Sequence, residues 1–240
     1  ELHLPVKGSR LRAHQIADPS SVCLWNPDMY GLRNLPESQC YYDSLMELYA
    51  SWGVDFVKCD DICNARSVNG SDDAQENEIR MLYAAIQKCG RPIVLSLSPG
   101  PALLNRGSLY AKYANMWRVT GDFWDNWEQL KDMFDRCEKW ASFVKRGCYP
   151  DCDMLPLGWI GKEFLQERRT RFTMAEQETM MTLWCICHSP LFLGAELTRL
   201  EDDTLALITN EEVLHLDQAM DNTVFQLYKD ENIVIWISEE

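Results

Sequence analysis

Strand-like segments alternate with helix-like ones along most of this chain, and that alternation limits the fold more than any single motif. Strand character falls at 54–59 (VDFVKC), 92–98 (PIVLSLS), 115–119 (NMWRV), 148–154 (CYPDCDM) and 191–195 (LFLGA). Helical periodicity falls at about 38–52, 74–89, 125–142, 174–188 and 200–210. In 74–89, Ile79, Leu82, Tyr83 and Ile86 share one face; Asp72 with Gln75 suits a capping box, and Gly90 with Pro92 closes the segment. In 125–142 the stripe is Trp127, Leu130, Phe134, Cys137 and Trp140 or Ala141. Strand–helix alternation implies an α/β fold with a parallel sheet and crossover helices.

The sheet is either open and doubly wound or closed into a (β/α)8 TIM barrel. No GxGxxG follows a strand and no phosphate-binding P-loop occurs, which disfavours the nucleotide-binding open sheets. Four strands instead end in polar groups: Lys58 with Asp60, Ser96 with Ser98, Arg118, and Asp151 with Asp153. Barrel active sites are assembled from such strand ends. About five of the eight βα units are present, so the expectation is that three strands precede residue 1. The stretch TVFQLYKDENIVIWIS, 223–238, breaks the pattern and reads as a β-hairpin around KDEN. The expected organisation is residues 1–218 as the C-terminal part of a barrel and 219–240 as the beginning of an antiparallel β-domain. With no initiator Met and no signal-like start, the chain reads as processed or cut from something longer.

A net charge of −14 argues against nucleic acid and against anionic membrane surfaces as partners. No apolar run approaches the ~20 residues that span a bilayer. The ten cysteines are too sparse for a disulfide mini-scaffold, and their spacings are not the CxxC pairs of structural zinc. Cys89, Cys185 and Cys187 read as small buried apolar residues. Asn69 heads a formal NGS glycosylation sequon. No metal or other cofactor is expected, the oligomeric state is open, and a secreted or periplasmic location is the expectation.

The chemistry concentrates in two places. In WGVDFVKCDDICN, 52–64, an apolar strand runs into Lys58, Asp60 and Asp61. Residues i and i+2 share a strand face, so Lys58 and Asp60 point together and Lys58 would hold Asp60 ionised. An ionised carboxylate there can be a nucleophile; alternatively Asp60 and Asp61 only satisfy turn amides. In MWRVTGDFWDNW, 116–127, Asp122 follows a glycine just before a helix. Asp125 with Glu128 would already cap that helix, freeing Asp122, and Phe123, Trp124 and Trp127 would keep its carboxyl protonated as a general acid. One charged and one neutral carboxyl make a glycosidase pair. A metal-dependent hydrolase or lyase built on Asp60, Asp61 and Asp153 is the rival, and a non-catalytic carbohydrate-binding barrel a third reading.

These residues resemble glycoside hydrolase family 27, the α-galactosidase (melibiase) family. WGVDFVKCDDICN resembles its nucleophile strand and MWRVTGDFWDNW its acid/base segment. CDMLPLG resembles its PDML strand, TLWCICHSPLFLGAEL (182–197) a segment that recurs there, and EEVLHLDQ (211–218) its end-of-barrel VIAINQD. The resemblance covers residues about 38 to 218, and KCDDIC and SLSPGPA look most like bacterial members. It implies a (β/α)8 barrel followed by an antiparallel β-domain, and a retaining, metal-free mechanism acting on galactose-containing oligosaccharides or glycans. Asp60 then matches the nucleophile and Asp122 the acid/base, with the two carboxyls ~5–5.5 Å apart. Lys58 and Arg118 match sugar-contacting residues, and Asp153 with Met154 the pair at the next strand end. Cys63 matches a cysteine that the family pairs with one in the preceding loop, here Cys23.

The sugar is where the chain departs from the family. SLSPGPA, 96–102, stands where many α-galactosidases have Cys-Glu-Trp-Pro, so Ser98 replaces the glutamate that reads the sugar 2-hydroxyl. Members accepting N-acetylgalactosamine carry a serine there, and others with altered pockets cleave β-L-arabinopyranosides. Leu97 and Ala114 occupy the places of a second family cystine. The family's paired aspartates for the 4- and 6-hydroxyls belong to an earlier strand, outside this sequence. Cleavage of terminal α-D-galactosyl residues is the expectation, with the other two sugars as alternatives.

Overall fold

The computed structural model describes residues 3–23, 25–62, 75–161, 166–219 and 223–239. Its contacts divide the chain into two compact units, Glu1–Trp117 and Arg118–Glu240.

The first unit opens with a short helix α1 (Ala13–Ile16) and an antiparallel pair, β1 (Ala17–Val22) and β2 (Tyr30–Leu32). Alternating units follow: α2 (Pro36–Ser51), β3 (Phe56–Asp60), α3 (Glu76–Lys88), β4 (Val94–Ser98), α4 (Gly107–Tyr113) and β5 (Met116–Arg118). β3 pairs with β4 in parallel, and β4 with β5 likewise. The αβ turns reverse through Gly53 and Gly90, both at φ +78°, where a side chain would be strained. On α3, Ile79, Leu82 and Ile86 are buried as the periodicity predicts. Tyr83 is not; it sits at the surface against Tyr113, ring centroids 5.4 Å apart. Gln75 is the N-cap of α3 in a left-handed conformation with no side-chain cap, and Asp72 lies outside the described residues.

The second unit contains α5 (Trp127–Trp140), β6 (Tyr149–Asp151), a small antiparallel pair β7 (Trp159–Ile160) and β8 (Arg168–Arg169), then α6 (Met174–Ile186), α7 (Asp202–Ile208) and α8 (Glu211–Gln218). It ends in the expected hairpin, β9 (Thr223–Lys229) and β10 (Val234–Glu239). The Val119 amide donates to the Asp151 carbonyl at 2.9 Å, tying the chain just after Arg118 to the end of β6. α5 buries Leu130, Met133, Cys137 and Trp140; Met133 takes the place expected of Phe134, and Trp127 is exposed. α6 starts on a Thr173–Glu176 capping box and buries Trp184 against Phe123, centroids 5.0 Å apart. Residues 191–195 form no strand; a single parallel bridge, Leu155 to Leu193, is all the pairing there. The chain is α/β with parallel strands, as the alternation implied.

Candidate active site

Asp60 is the last residue of β3. Burial alternates along that strand, with Phe56, Lys58 and Asp60 exposed on one face and Val57 and Cys59 turned inward. Lys58 and Asp60 therefore share a face as expected, but no ion pair or hydrogen bond joins them among the described residues. Parallel register sets Asp60 beside Ser98 and Lys58 beside Ser96. Ser98 is 1% exposed, and its Oγ has no hydrogen-bond partner among the described residues. A buried hydroxyl without a partner carries a desolvation cost, and such groups in native folds commonly await a ligand or water.

The chain turns sharply after Asp60. Asp61 has φ +51°, its amide donates to the Ser98 carbonyl at 2.9 Å, and its carboxylate accepts from the Cys23 thiol. Burial, then that bond to Asp61, pushes the Cys23 thiol above its ordinary value. Cys23 is a free thiol in this structure, and its expected partner Cys63 lies outside the described residues, as does Asn69. A cavity of about 170 Å³ is lined by residues that include Cys23, Cys59, Asp60, Asp61, Tyr42 and Glu78.

The second cluster is organised by Arg118, whose side chain is nearly enclosed. Its Nη2 donates to Asp122 Oδ1 at 2.8 Å, and its Nη1 lies 3.3 Å from Asp153 Oδ2. The same Asp153 oxygen accepts from the Phe123 amide at 2.8 Å. The Asp153 amide donates to Asp151 Oδ1, and its carbonyl accepts the Trp184 indole N–H at 2.9 Å. Asp153 holds φ +76°, a conformation a non-glycine residue keeps only when its surroundings fix it. Met154 follows it and packs on Gly194, where an added Cβ would lie 2.6 Å from the Met154 sulfur.

Two expectations change here. Asp122 is not enclosed by aromatic rings: Phe123 is buried away from it, and the Asp122 side chain is 77% exposed with the Arg118 guanidinium as its neighbour. Asp125 does not cap α5. Asn126 does, accepting from the Glu128 and Gln129 amides, while Asp125 is buried and paired to Arg168 at 2.5 and 2.9 Å. Burial raises the Asp125 carboxyl, but Arg168 and the Arg171 amide more than offset that and hold it below its ordinary value. Asn and Asp cap equally well, so adjacent DN gave no basis for choosing between them.

Sequence reasoning missed Glu78 and Tyr42. Tyr42 Oη donates to Glu78 Oε1 at 2.6 Å, and Glu78 is 5% exposed on a helix whose polar residues normally face water. Nothing in the local pattern distinguishes it from Glu76, which pairs at the surface with Arg80. Among the described residues no group of three or more His, Cys, Asp or Glu side chains is arranged to hold a metal ion, and no helix is long and apolar enough to cross a membrane.

The first unit thus carries Asp60 at the end of a parallel strand beside a buried serine, and the second an arginine fork that holds Asp122 and Asp153. The chain belongs to the alpha galactosidase A (Melibiase_2) family, whose model matches residues 29–219. It is similar to the crystal structure of a GH27 β-L-arabinopyranosidase from Geobacillus stearothermophilus, at 50% identity and a TM-score of 0.90, over 98% of this chain and 54% of that one. An α-N-acetylgalactosaminidase candidate from Bacillus halodurans gives 46% identity and a TM-score of 0.81, over 98% and 54%. Alpha-galactosidase 2 of Arabidopsis thaliana is 28% identical over 190 residues, 78% of this chain and 43% of that protein. The chain thus spans about half the length of these relatives, or less.

Proposed function

We propose that the protein carrying this chain is a retaining glycoside hydrolase that removes a terminal pyranose of galacto configuration by double displacement. Asp60 attacks the anomeric carbon while Asp122 protonates the departing oxygen. The glycosyl-enzyme ester is then hydrolysed by water that Asp122 deprotonates. Arg118 orients Asp122 and Asp153 through its fork, and Lys58, Asp153 and Met154 contact the sugar. β3, β4, β5 and β6 belong to a (β/α)8 barrel, and β9–β10 begins an antiparallel domain.

The observation that carries this reading is the end of β3: a solvent-facing carboxylate in register with a buried serine hydroxyl that has no partner among the described residues. Family membership supports the chemistry, and the relatives support a choice of sugar. A serine at position 98 leaves room that a glutamate would fill, and the β-L-arabinopyranosidase shares 50% identity against 28% for the plant α-galactosidase. β-L-Arabinopyranosides share the ring configuration of α-D-galactosides and lack the 6-carbon. They are the favoured substrates, ahead of α-D-galactosides and α-N-acetylgalactosaminides.

The test is a panel of the three corresponding aryl glycosides with the full-length protein. The expected order in kcat/KM places the arabinopyranoside first. Preference for the acetamido sugar or the galactoside would overturn the sugar assignment, and no turnover of any of the three would overturn the function.

A further inference from the structure

Gly194 leaves a gap that one side chain fills. It lies in the stretch after α6, and its backbone is not left-handed, so its conformation does not call for a glycine. Its surroundings do. The three atoms nearest to an added Cβ all belong to Met154: Sδ at 2.6 Å, Cγ at 3.1 Å and Cβ at 3.3 Å. A methionine, unbranched and adaptable, is suited to filling such an irregular gap.

The main chains on either side are tied together. The Leu155 amide donates to the Phe192 carbonyl at 2.7 Å, and the Gly194 amide donates back to the Leu155 carbonyl at 2.9 Å. Leu155 also bridges Leu193. On the other side of Met154, Asp153 is fixed at φ +76°, with its carboxylate on Arg118 and the Phe123 amide and its carbonyl on the Trp184 indole. Between these anchors only the Met154 thioether is free to yield. Easing a 2.6 Å contact to the ordinary separation of about 3.5–4.0 Å moves the sulfur by roughly 1 Å.

We propose that Gly194 is a positioning residue for sugar binding: by lacking a Cβ it seats the Met154 thioether against the chain at 194 and so sets where that thioether meets the sugar. This rests on reading Met154 as a sugar contact. Met154 directly follows the aspartate that shares the Arg118 fork with Asp122, so its seat belongs to the wall next to the proposed acid/base. The atom in the way is near the end of a flexible side chain, so a Cβ at 194 disturbs binding and leaves folding nearly untouched.

The experiment is a double-mutant cycle in the full-length protein. It measures kcat, KM and the thermal midpoint for the parent, Gly194→Ala, Met154→Ala and the double variant, with the preferred aryl glycoside. In the parent background Gly194→Ala is expected to raise KM roughly 10-fold, with kcat within about twofold, because a 1 Å misplacement at a binding site is costly. Its midpoint should move by no more than about 3 °C. In the Met154→Ala background the same substitution should change KM by less than about twofold, since the side chain it would push is gone. An equal rise in both backgrounds would overturn the proposal, because Gly194 would then act by some route other than Met154. So would an unchanged KM in Gly194→Ala, with or without a loss of stability, which is packing alone. Failure of Gly194→Ala to fold would also overturn it, since the thioether would then not be free to yield. Failure of the sugar-contact reading shows separately, as an unchanged KM in Met154→Ala itself.

Discussion

Ser98 is the residue whose placement says most for its size. A serine at a strand end could have bonded its own turn or a neighbouring carbonyl. Its hydroxyl is instead enclosed beside Asp60 with no partner among the described residues. Removing an unpaired buried hydroxyl costs the fold nothing, whereas removing one that a sugar hydroxyl completes weakens binding. Ser98→Ala is therefore expected to leave the unfolding free energy unchanged or raise it by up to about 1 kcal/mol, while KM for the preferred glycoside rises roughly 3- to 10-fold. Urea unfolding and steady-state kinetics on one preparation check both halves. A loss of stability with unchanged KM would make Ser98 a packing residue. The same scale shows what was legible beforehand. Lys58 and Asp60 were placed on one face by alternation alone. The environment of Asp122 was not legible, because three aromatics within five residues do not say which way each ring turns.

At the scale of elements, the links between segments distant in sequence were the hidden part. Asp125 precedes α5 and Arg168 belongs to β8, 43 residues on, yet the two form a buried, two-contact ion pair that the Arg171 amide completes. The Asp125 side chain is 1% exposed and that of Arg168 29%, so Arg168 can partly rehydrate if its partner is lost. Asp125→Ala should then cost about 3 kcal/mol at neutral pH, the low end for breaking a buried pair. The Asp125 carboxyl is held below its ordinary 3.8, so this contribution is fully present above about pH 4 and is lost as pH falls through the lower folded value. Denaturant titrations at neutral and strongly acidic pH should show a large difference between parent and variant that shrinks in acid. An equal difference at both would mean packing, not charge, is what was removed. The helices α3 and α5, whose apolar stripes are strongly periodic, and the β9–β10 hairpin were readable because each carries its signal locally. The β1–β2 and β7–β8 pairs were not, because ADPSSV and two-residue strands lack alternation and exist through their partners. Residues 191–195 failed in the opposite way: an apolar run satisfied the strand pattern, but only Leu193 finds a bridge.

For the whole molecule, the proposed chemistry is the formation of a covalent bond between Asp60 and a sugar on a family 27 scaffold. Strand–helix alternation and polar strand ends led to the parallel α/β arrangement before any likeness was considered, and the family match over residues 29–219 agrees with it. The choice of sugar was only partly readable, because it turns on a few pocket side chains and two similar solved structures differ in the sugar they are named for. The most direct measurement is mass spectrometry of the full-length protein after incubation with a 2-deoxy-2-fluoro glycoside of the preferred sugar bearing a good leaving group. The fluorine slows both steps and the leaving group speeds the first, so the ester intermediate accumulates. The expected result is one added glycosyl mass per chain, located by fragmentation on Asp60 in the peptide that carries VDFVKCD. An adduct on a different carboxylate, or rapid turnover with inverted product and no adduct, would contradict it.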